Sequence, residues 1–238
     1  MNPEIANQLL ELNYQFYQSF AESFAATRQR LQPGVQRVLQ TVATEARVLD
    51  LGCGSGEVAR QLGRDGFQGS YVGLDFSAGL LAEAQDGAPD FARFRQADLA
   101  AADWDAGLDA DGYDVILAFA VMHHLPGEAL RLAFLGKVGA LLAPGGRFIH
   151  SNWQFMSSER LRSRRQPWAR AGLDEADVDP GDYLLDWRRD GEGLRYVHQY
   201  GEEELAGLAA QRGFKVVETF YSDGEGGKLG LYGVWEGA

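Results

Sequence analysis

Of the 238 residues, 45% are apolar and 24% charged, an ordinary globular balance that excludes a disordered or collagen-like chain, and no apolar run approaches the ~18 residues a bilayer span needs. Lys+Arg is 22 against Asp+Glu 34, a net charge of −12, so polyanions are repelled unless positive charge is gathered in one place. One cysteine excludes an internal disulfide, no Cys/His spacing suggests a zinc or other metal site, and Met1-Asn2-Pro3-Glu4 lacks the pattern of a secretory signal, so the expected compartment is the cytoplasm.

From Glu4 to about Arg30, Leu9, Leu12, Phe16, Phe20 and Phe24 recur at spacings of three and four, which predicts one apolar helical face. Pro33-Gly34 breaks that helix, and a second is expected from Val35 to Val42. The period then changes. Val48 to Leu51 reads as a buried strand running into Gly52, Gly54 and Gly56, with a helix from Glu57. Further strands are predicted at Tyr71–Asp75, Phe91–Gln96, Tyr113–Val121 and Arg147–Ser151. Helices lie between them, one capped by Ser77 and one from Ala129 to Leu142 stopped by Pro144-Gly145-Gly146. This rhythm predicts an α/β fold, a doubly wound, mostly parallel sheet with helices on both faces. Residues 153–195 are polar, rich in arginine and then aspartate, and are expected to form an insertion of helix plus loop. Tyr196–Tyr200 reads as a strand, Glu202–Gln211 as a helix, and Phe214–Tyr221 with Leu229–Trp235 as a hairpin.

The chemistry-bearing stretch is Asp50-Leu51-Gly52-Cys53-Gly54-Ser55-Gly56, between a strand and a helix. Glycines there let the backbone turn sharply and let a ligand approach it. A dinucleotide fingerprint needs a third glycine where Glu57 stands, and a P-loop needs Gly-Lys-Ser/Thr, so NAD and ATP fit poorly. Asp50 would repel a phosphate and suits a ligand carrying an amino group and a sulfonium. Asp75, about 20 residues past Gly56, stands where a ribose diol is gripped, and Asp98 follows the third strand. Each aspartate alone could be a cap or turn residue. Three at the carboxyl ends of successive strands lie where open parallel sheets bind ligands.

Asp50 to Gly56 resembles the D-x-G-x-G-x-G signature of class I S-adenosylmethionine-dependent methyltransferases. Tyr71–Ser77, Gln96–Leu99, Tyr113–Leu125 and Leu141–Ile149 resemble that family's later motifs in order, so the likeness covers residues 46–152. The resemblance implies a seven-stranded Rossmann-like sheet and S-adenosyl-L-methionine as cofactor. By it, Asp50, Gly52 and Gly54 face the methionine part, Asp75 the ribose, and Asp98 with Leu99 the adenine. Cys53, Gly56, Phe76 and Phe119 complete the expected cofactor contacts. It also divides a single domain into an N-terminal helical cap (1–45), a cofactor-binding core (46–152), a substrate-side insertion (153–200) and a C-terminal helix and hairpin (201–238).

A narrower resemblance lies outside these motifs. Ser23-Phe24-Ala25-Ala26-Thr27-Arg28 is similar to the F-x-x-T-R stretch of the methyltransferases that esterify 5-carboxymethyluridine at the tRNA wobble position. Ala120-Val121-Met122-His123-His124-Leu125, Trp153, Trp187 and Arg195-Tyr196-Val197-His198-Gln199-Tyr200 before Glu204-Leu205 resemble the same group. That group's Trp-Pro after the arginine is here Leu31-Gln32-Pro33, and its Asn-Trp near the C-terminus is Lys228-Leu229-Gly230. Some of its members work with a small zinc-binding activator protein, for which no residue here speaks.

Methyl transfer from a sulfonium is an in-line displacement, so the protein mainly positions and desolvates two partners. A carboxylate acceptor has pKa ~4 and needs no base. It needs an orienting cation, for which Arg28 has the planar fork. A hydroxyl or amine acceptor needs a general base instead, for which His124 or His198 is available. His198 alternates with Tyr196 and Tyr200, so the three share a strand face that is either core or, with Trp153, substrate contact. Arg160, Arg162, Arg164, Arg165 and Arg170 either track an RNA backbone or pair with Asp174, Asp177 and Asp179. The acceptor is therefore a modified tRNA or a small molecule, and a non-catalytic nucleotide-binding module is the remaining alternative.

Overall fold

The computed structural model describes residues 1–26, 30–109, 111–189 and 191–237, and for residues 21–26 the backbone alone. Two helices open the chain, α1 (Pro3–Ala26) and α2 (Pro33–Leu39). β1 (Arg47–Leu51), α3 (Glu57–Arg64), β2 (Ser70–Asp75), α4 (Ala78–Gln85), β3 (Ala92–Gln96), β4 (Tyr113–Phe119), α5 (Glu128–Leu141) and β5 (Leu142–Trp153) follow. The last third holds α6 (Glu159–Arg162), β6 (Arg165–Gln166), β7 (Asp182–Trp187), β8 (Gly193–His198), α7 (Glu202–Gln211), β9 (Lys215–Ser222) and β10 (Gly230–Glu236).

The main sheet has seven strands in the order β3-β2-β1-β4-β5-β10-β9. β1 to β5 are parallel, and β10 runs antiparallel to both β5 and β9. Strand alternation explains why the central strands read as nearly continuous apolar runs. Leu49, Leu51, Ile116 and Ala118 face α5 and α7, joining Phe134, Leu135, Leu205 and Leu208. Val48, Val115 and Leu117 face the other way, against Val35 and Val38 of α2 and Val58 and Leu62 of α3. The chain order reverses between β1 and β4, so their carboxyl ends open the crevice where such sheets take ligands.

Two tethers bring the N-terminal helices onto this frame. Asp223, at φ 71 in the β9–β10 turn, accepts the Gly34 N–H at 2.9 Å and the Tyr232 hydroxyl at 2.7 Å. Leu9 of α1 is wholly buried with Trp168, Leu173, Leu184 and Tyr196 of the insertion. α1 is broken by a kink at Phe20, whose backbone leaves the helical region (φ −123, ψ 15), so it is two helical segments end to end.

The insertion differs from the expected helix plus loop. It is a three-stranded antiparallel sheet, β6-β7-β8, with short helical turns around it. The strand expected at Tyr196–Tyr200 begins at Gly193, ends at His198, and pairs with β7 in this second sheet. Part of the polar stretch that suggested a loop is spent inside: Asp182, Asp186 and Arg195 are buried. Among the described residues, no helix is long and apolar enough to cross a membrane.

Candidate active site

Three left-handed glycines shape the loop after β1: Gly52 at φ 74, Gly54 at φ 54 and Gly56 at φ 83. The Gly52 and Cys53 N–H groups donate to the Leu74 carbonyl at 2.7 and 2.9 Å, which docks the loop on β2. A Cβ at Gly52 would lie 2.4 Å from Val121, whereas one at Gly54 would meet nothing within 4 Å. Gly54 therefore presents bare backbone to open space. Asp75, at the end of β2, accepts the Gly54 N–H at 2.9 Å on one oxygen and the Ser77 N–H at 2.9 Å on the other.

Around this loop lies a cavity of about 270 Å³. Its floor is made by Gly52, Cys53, Gly54 and Ser55, by Asp75 and Phe76 after β2, by Asp98 and Leu99 after β3, and by Phe119 and His124 after β4. Leu10, Asn13, Tyr14 and Tyr17 of α1 roof it. A nucleoside bearing an amino group and a sulfonium suits this wall: bare backbone at Gly54, carboxylates at two strand ends, and apolar faces at Phe76 and Leu99. Asp98 spends one oxygen on the Ala100 N–H at 2.9 Å. Among the described residues, no group of three or more His, Cys, Asp or Glu side chains is arranged to hold a metal.

Two residues expected at the cofactor stand behind the wall instead. Asp50 is buried on the α2 and α3 side of β1, where strand alternation sends it, and accepts the Tyr71 hydroxyl at 2.5 Å. Burial pushes its carboxyl up to about 7, against the pull of the Tyr71 hydrogen bond. The negative rim expected at the glycine loop therefore reduces to Asp75 and Asp98. Gly56 forms the left-handed cap of α3, and a Cβ there would lie 3.0 Å from Ala84. The Cys53 thiol is pushed well up by burial and by the nearby Asp50 and Asp75 carboxylates, so it carries no nucleophile.

His124 reaches the cavity through an unusual turn. Ala120 has φ 58, a conformation that costs a non-glycine residue of order 1 kcal/mol. It is held there by its N–H, shared between the Ser151 carbonyl at 3.0 Å and hydroxyl at 3.1 Å. The chain then enters a 3₁₀ turn, Met122–His124, braced by the Tyr200 hydroxyl on the Met122 carbonyl at 3.1 Å. His124 Nε2 sits 2.8 Å from the Tyr17 hydroxyl, and its Nδ1 sits 3.3 Å from the Tyr196 carbonyl.

His198, Tyr196, Tyr200 and Trp153 are not among the residues lining the cavity. Asp182 Oδ1 accepts the Tyr196 hydroxyl at 2.7 Å and His198 Nδ1 at 2.6 Å, and pairs with Arg131 at 3.3 Å. His198 Nε2 faces Glu204 at 2.8 Å. Desolvation opposes the charge on His198, but the hydrogen bonds to Asp182 and Glu204 outweigh it and raise its pKa. This network straps the insertion sheet to α5 and α7. The Trp153 ring packs 4.7 Å from the Arg195 guanidinium, and the Trp153 backbone N–H donates to His123 Nδ1 at 3.4 Å. Arg28 lies outside the described residues. Of the two alternatives for the arginine cluster, the described residues do not show the pairing: Asp177 caps its own turn at Asp174, Asp179 meets the N-terminal amine at 3.1 Å, and Arg160, Arg162, Arg165 and Arg170 stay exposed.

Sequence reasoning missed Asn13 and Tyr17. Leu10, Asn13, Tyr14 and Tyr17 share a stripe beside the apolar face of α1, at helical spacing, and the polar atoms in that stripe were the available signal.

Comparisons with known proteins agree with this fold. The pattern of the Methyltransferase domain family matches residues 21–219. A protein of Encephalitozoon cuniculi named as a methyltransferase is 30% identical over 207 residues, 86% of this chain and 88% of its own. The Mus musculus tRNA (carboxymethyluridine(34)-5-O)-methyltransferase is 27% identical over 173 residues, 68% of this chain but only 24% of its own length. The crystal structure of Burkholderia thailandensis 1,6-didemethyltoxoflavin-N1-methyltransferase, with 1,6-didemethyltoxoflavin and S-adenosylhomocysteine bound, superimposes with a TM-score of 0.68 at 19% identity, covering 100% of this chain and 91% of its own. At that identity the likeness speaks for the fold. With the family pattern spanning most of its length, the chain belongs to the methyltransferase domain family and has the fold of S-adenosylmethionine-dependent enzymes.

Proposed function

We propose that this enzyme uses S-adenosylmethionine to methylate an oxygen or nitrogen of a small acceptor held between the strand ends and α1, with Tyr17 and His124 taking up the acceptor's proton. Gly54, Asp75, Phe76, Asp98 and Leu99 would hold the cofactor, which supplies an electrophilic methyl group on sulfur. One observation carries the reading: the 2.8 Å contact between the Tyr17 hydroxyl and His124 Nε2, both on the cavity wall. Such a pair suits a nucleophile that must lose a proton, and a carboxylate acceptor has none to lose at neutral pH. The chain's own groups orient the acceptor, exclude water with Leu10 and Tyr14, and store one proton.

A second reading, esterification of carboxymethyluridine in tRNA, is supported by the similarity to the mouse tRNA enzyme and by the exposed arginines of residues 160–170. Tritiated methyl transfer separates the two. Label in the small-molecule fraction of a cell extract supports the first reading. Label in bulk tRNA, with an activity that falls steeply as salt is added, overturns it in favour of the second.

A further inference from the structure

We infer that Tyr17 is the group that meets the acceptor, and that Asn13 is a positioning residue that locks His124 as its Nδ1–H tautomer, leaving Nε2 to receive a proton through the Tyr17 hydroxyl. The inference rests on the proposed reading of the cavity and adds the path of the proton.

Asn13 is buried and its amide has one allowed orientation. Its Oδ1 accepts the Tyr196 N–H at 2.8 Å, and its Nδ2 donates to the Tyr196 carbonyl at 3.1 Å. Gripped at both backbone groups, β8 holds that carbonyl 3.3 Å from His124 Nδ1. A carbonyl oxygen can only accept, so Nδ1 must carry the hydrogen. The opposite tautomer would set a nitrogen lone pair against that oxygen. Among the described residues, it would gain only the second N–H of Asn13 Nδ2, whose first is committed to Tyr196, at 3.5 Å, the outer limit of a hydrogen bond.

A neutral imidazole has one N–H, so Nε2 is an acceptor and the Tyr17 hydroxyl donates to it. When an acceptor's O–H or N–H proton moves to Tyr17 Oη, the phenolic proton passes to His124 Nε2. One proton leaves the acceptor and one arrives on the imidazole. The resulting imidazolium keeps both N–H groups bonded, to Tyr17 and to the Tyr196 carbonyl. Among the described residues, the titratable ring of His123 also packs against it, with ring centroids 4.2 Å apart.

Long-range ¹H–¹⁵N spectra of the labelled full-length protein, without acceptor, test this over pH 5 to 9. The His124 signals are identified by their loss in His124→Gln. The wild type is expected to show a protonated Nδ1 and a bare Nε2 in the neutral ring, and Asn13→Ala to shift the ring toward the Nε2–H form. Tyr17→Phe is expected to keep the Nδ1–H form while the titration midpoint moves down by about half a pH unit or more, because the imidazolium loses the oxygen that its Nε2–H bonds more strongly than the neutral ring does. An Nε2–H ring in the wild type, or an unmoved midpoint in Tyr17→Phe, overturns the inference. If Asn13→Ala fails to fold, the wild type and Tyr17→Phe still decide it. No acceptor is needed, so a failed search for one defeats the proposed function and leaves this result standing.

Discussion

The floor and the roof of the cavity are built by different rules. The floor is local in sequence: one glycine loop and the residues following β2, β3 and β4, all at the switch point of one sheet. The roof joins parts that are remote in the chain. Asn13 grips Tyr196 across 183 positions, and Tyr17 meets His124 across 107. The floor supplies backbone and carboxylates, which in the proposed reading recognise a nucleoside. Where the roof meets the turn after β4, a phenol and an imidazole come together, and in the proposed reading they move a proton. Recognition and proton handling thus sit on separable surfaces, and a substitution on one should spare the other.

The sharpest break of that separation is His124→Gln. It should lower turnover of an acceptor that must lose a proton by about 10²- to 10⁴-fold, the usual range for a lost general base. The saturation constant for S-adenosylmethionine should stay the same, and steady-state kinetics with both substrates varied would show it.

Asp75→Ala is the counterpart on the floor. It removes a carboxylate that anchors the Gly54 N–H and stands at the end of β2. Affinity for S-adenosylhomocysteine should fall about 10- to 100-fold, the range for a lost charge-assisted hydrogen bond. The His124 spectra should remain as in the wild type.

A smaller effect concerns the strap beneath the roof. The pKa of His198 is raised in the folded state, so its protonation stabilises the fold fully below about pH 6.5, the unfolded value, and that contribution is lost as pH rises through the folded value. Thermal unfolding should therefore show a melting temperature that declines above pH 6.5, and His198→Gln should flatten that decline. An unchanged slope in the variant would mean that other groups carry it.

How far the sequence could be read follows the same division. Asp50 to Gly56, Asp75 and Asp98 were legible because a strand, a tight turn and a strand-end carboxylate are each short-range patterns. One detail escaped even there. Strand alternation put Asp50 on the helix-covered face, where it bonds Tyr71 and burial raises its pKa to about 7. α1 was legible as a helix, and Leu9 and Phe16 are indeed buried. Its neighbouring stripe was not, because nothing local says that Tyr17 will face a turn formed beyond β4. The insertion misled for a related reason. Asp182 looks like part of a solvated loop until Arg131, from a helix of the core, and His198, held in turn by Glu204, are placed beside it.

Calorimetric titration of S-adenosylhomocysteine into the wild type and into the Tyr17→Phe/His124→Gln double variant probes the independence of the two surfaces most directly. Matching affinities, within about threefold, are predicted because neither side chain belongs to the nucleoside wall. A loss of tenfold or more in the double variant would mean that the roof helps to hold the cofactor, and the division between recognition and proton handling would be wrong.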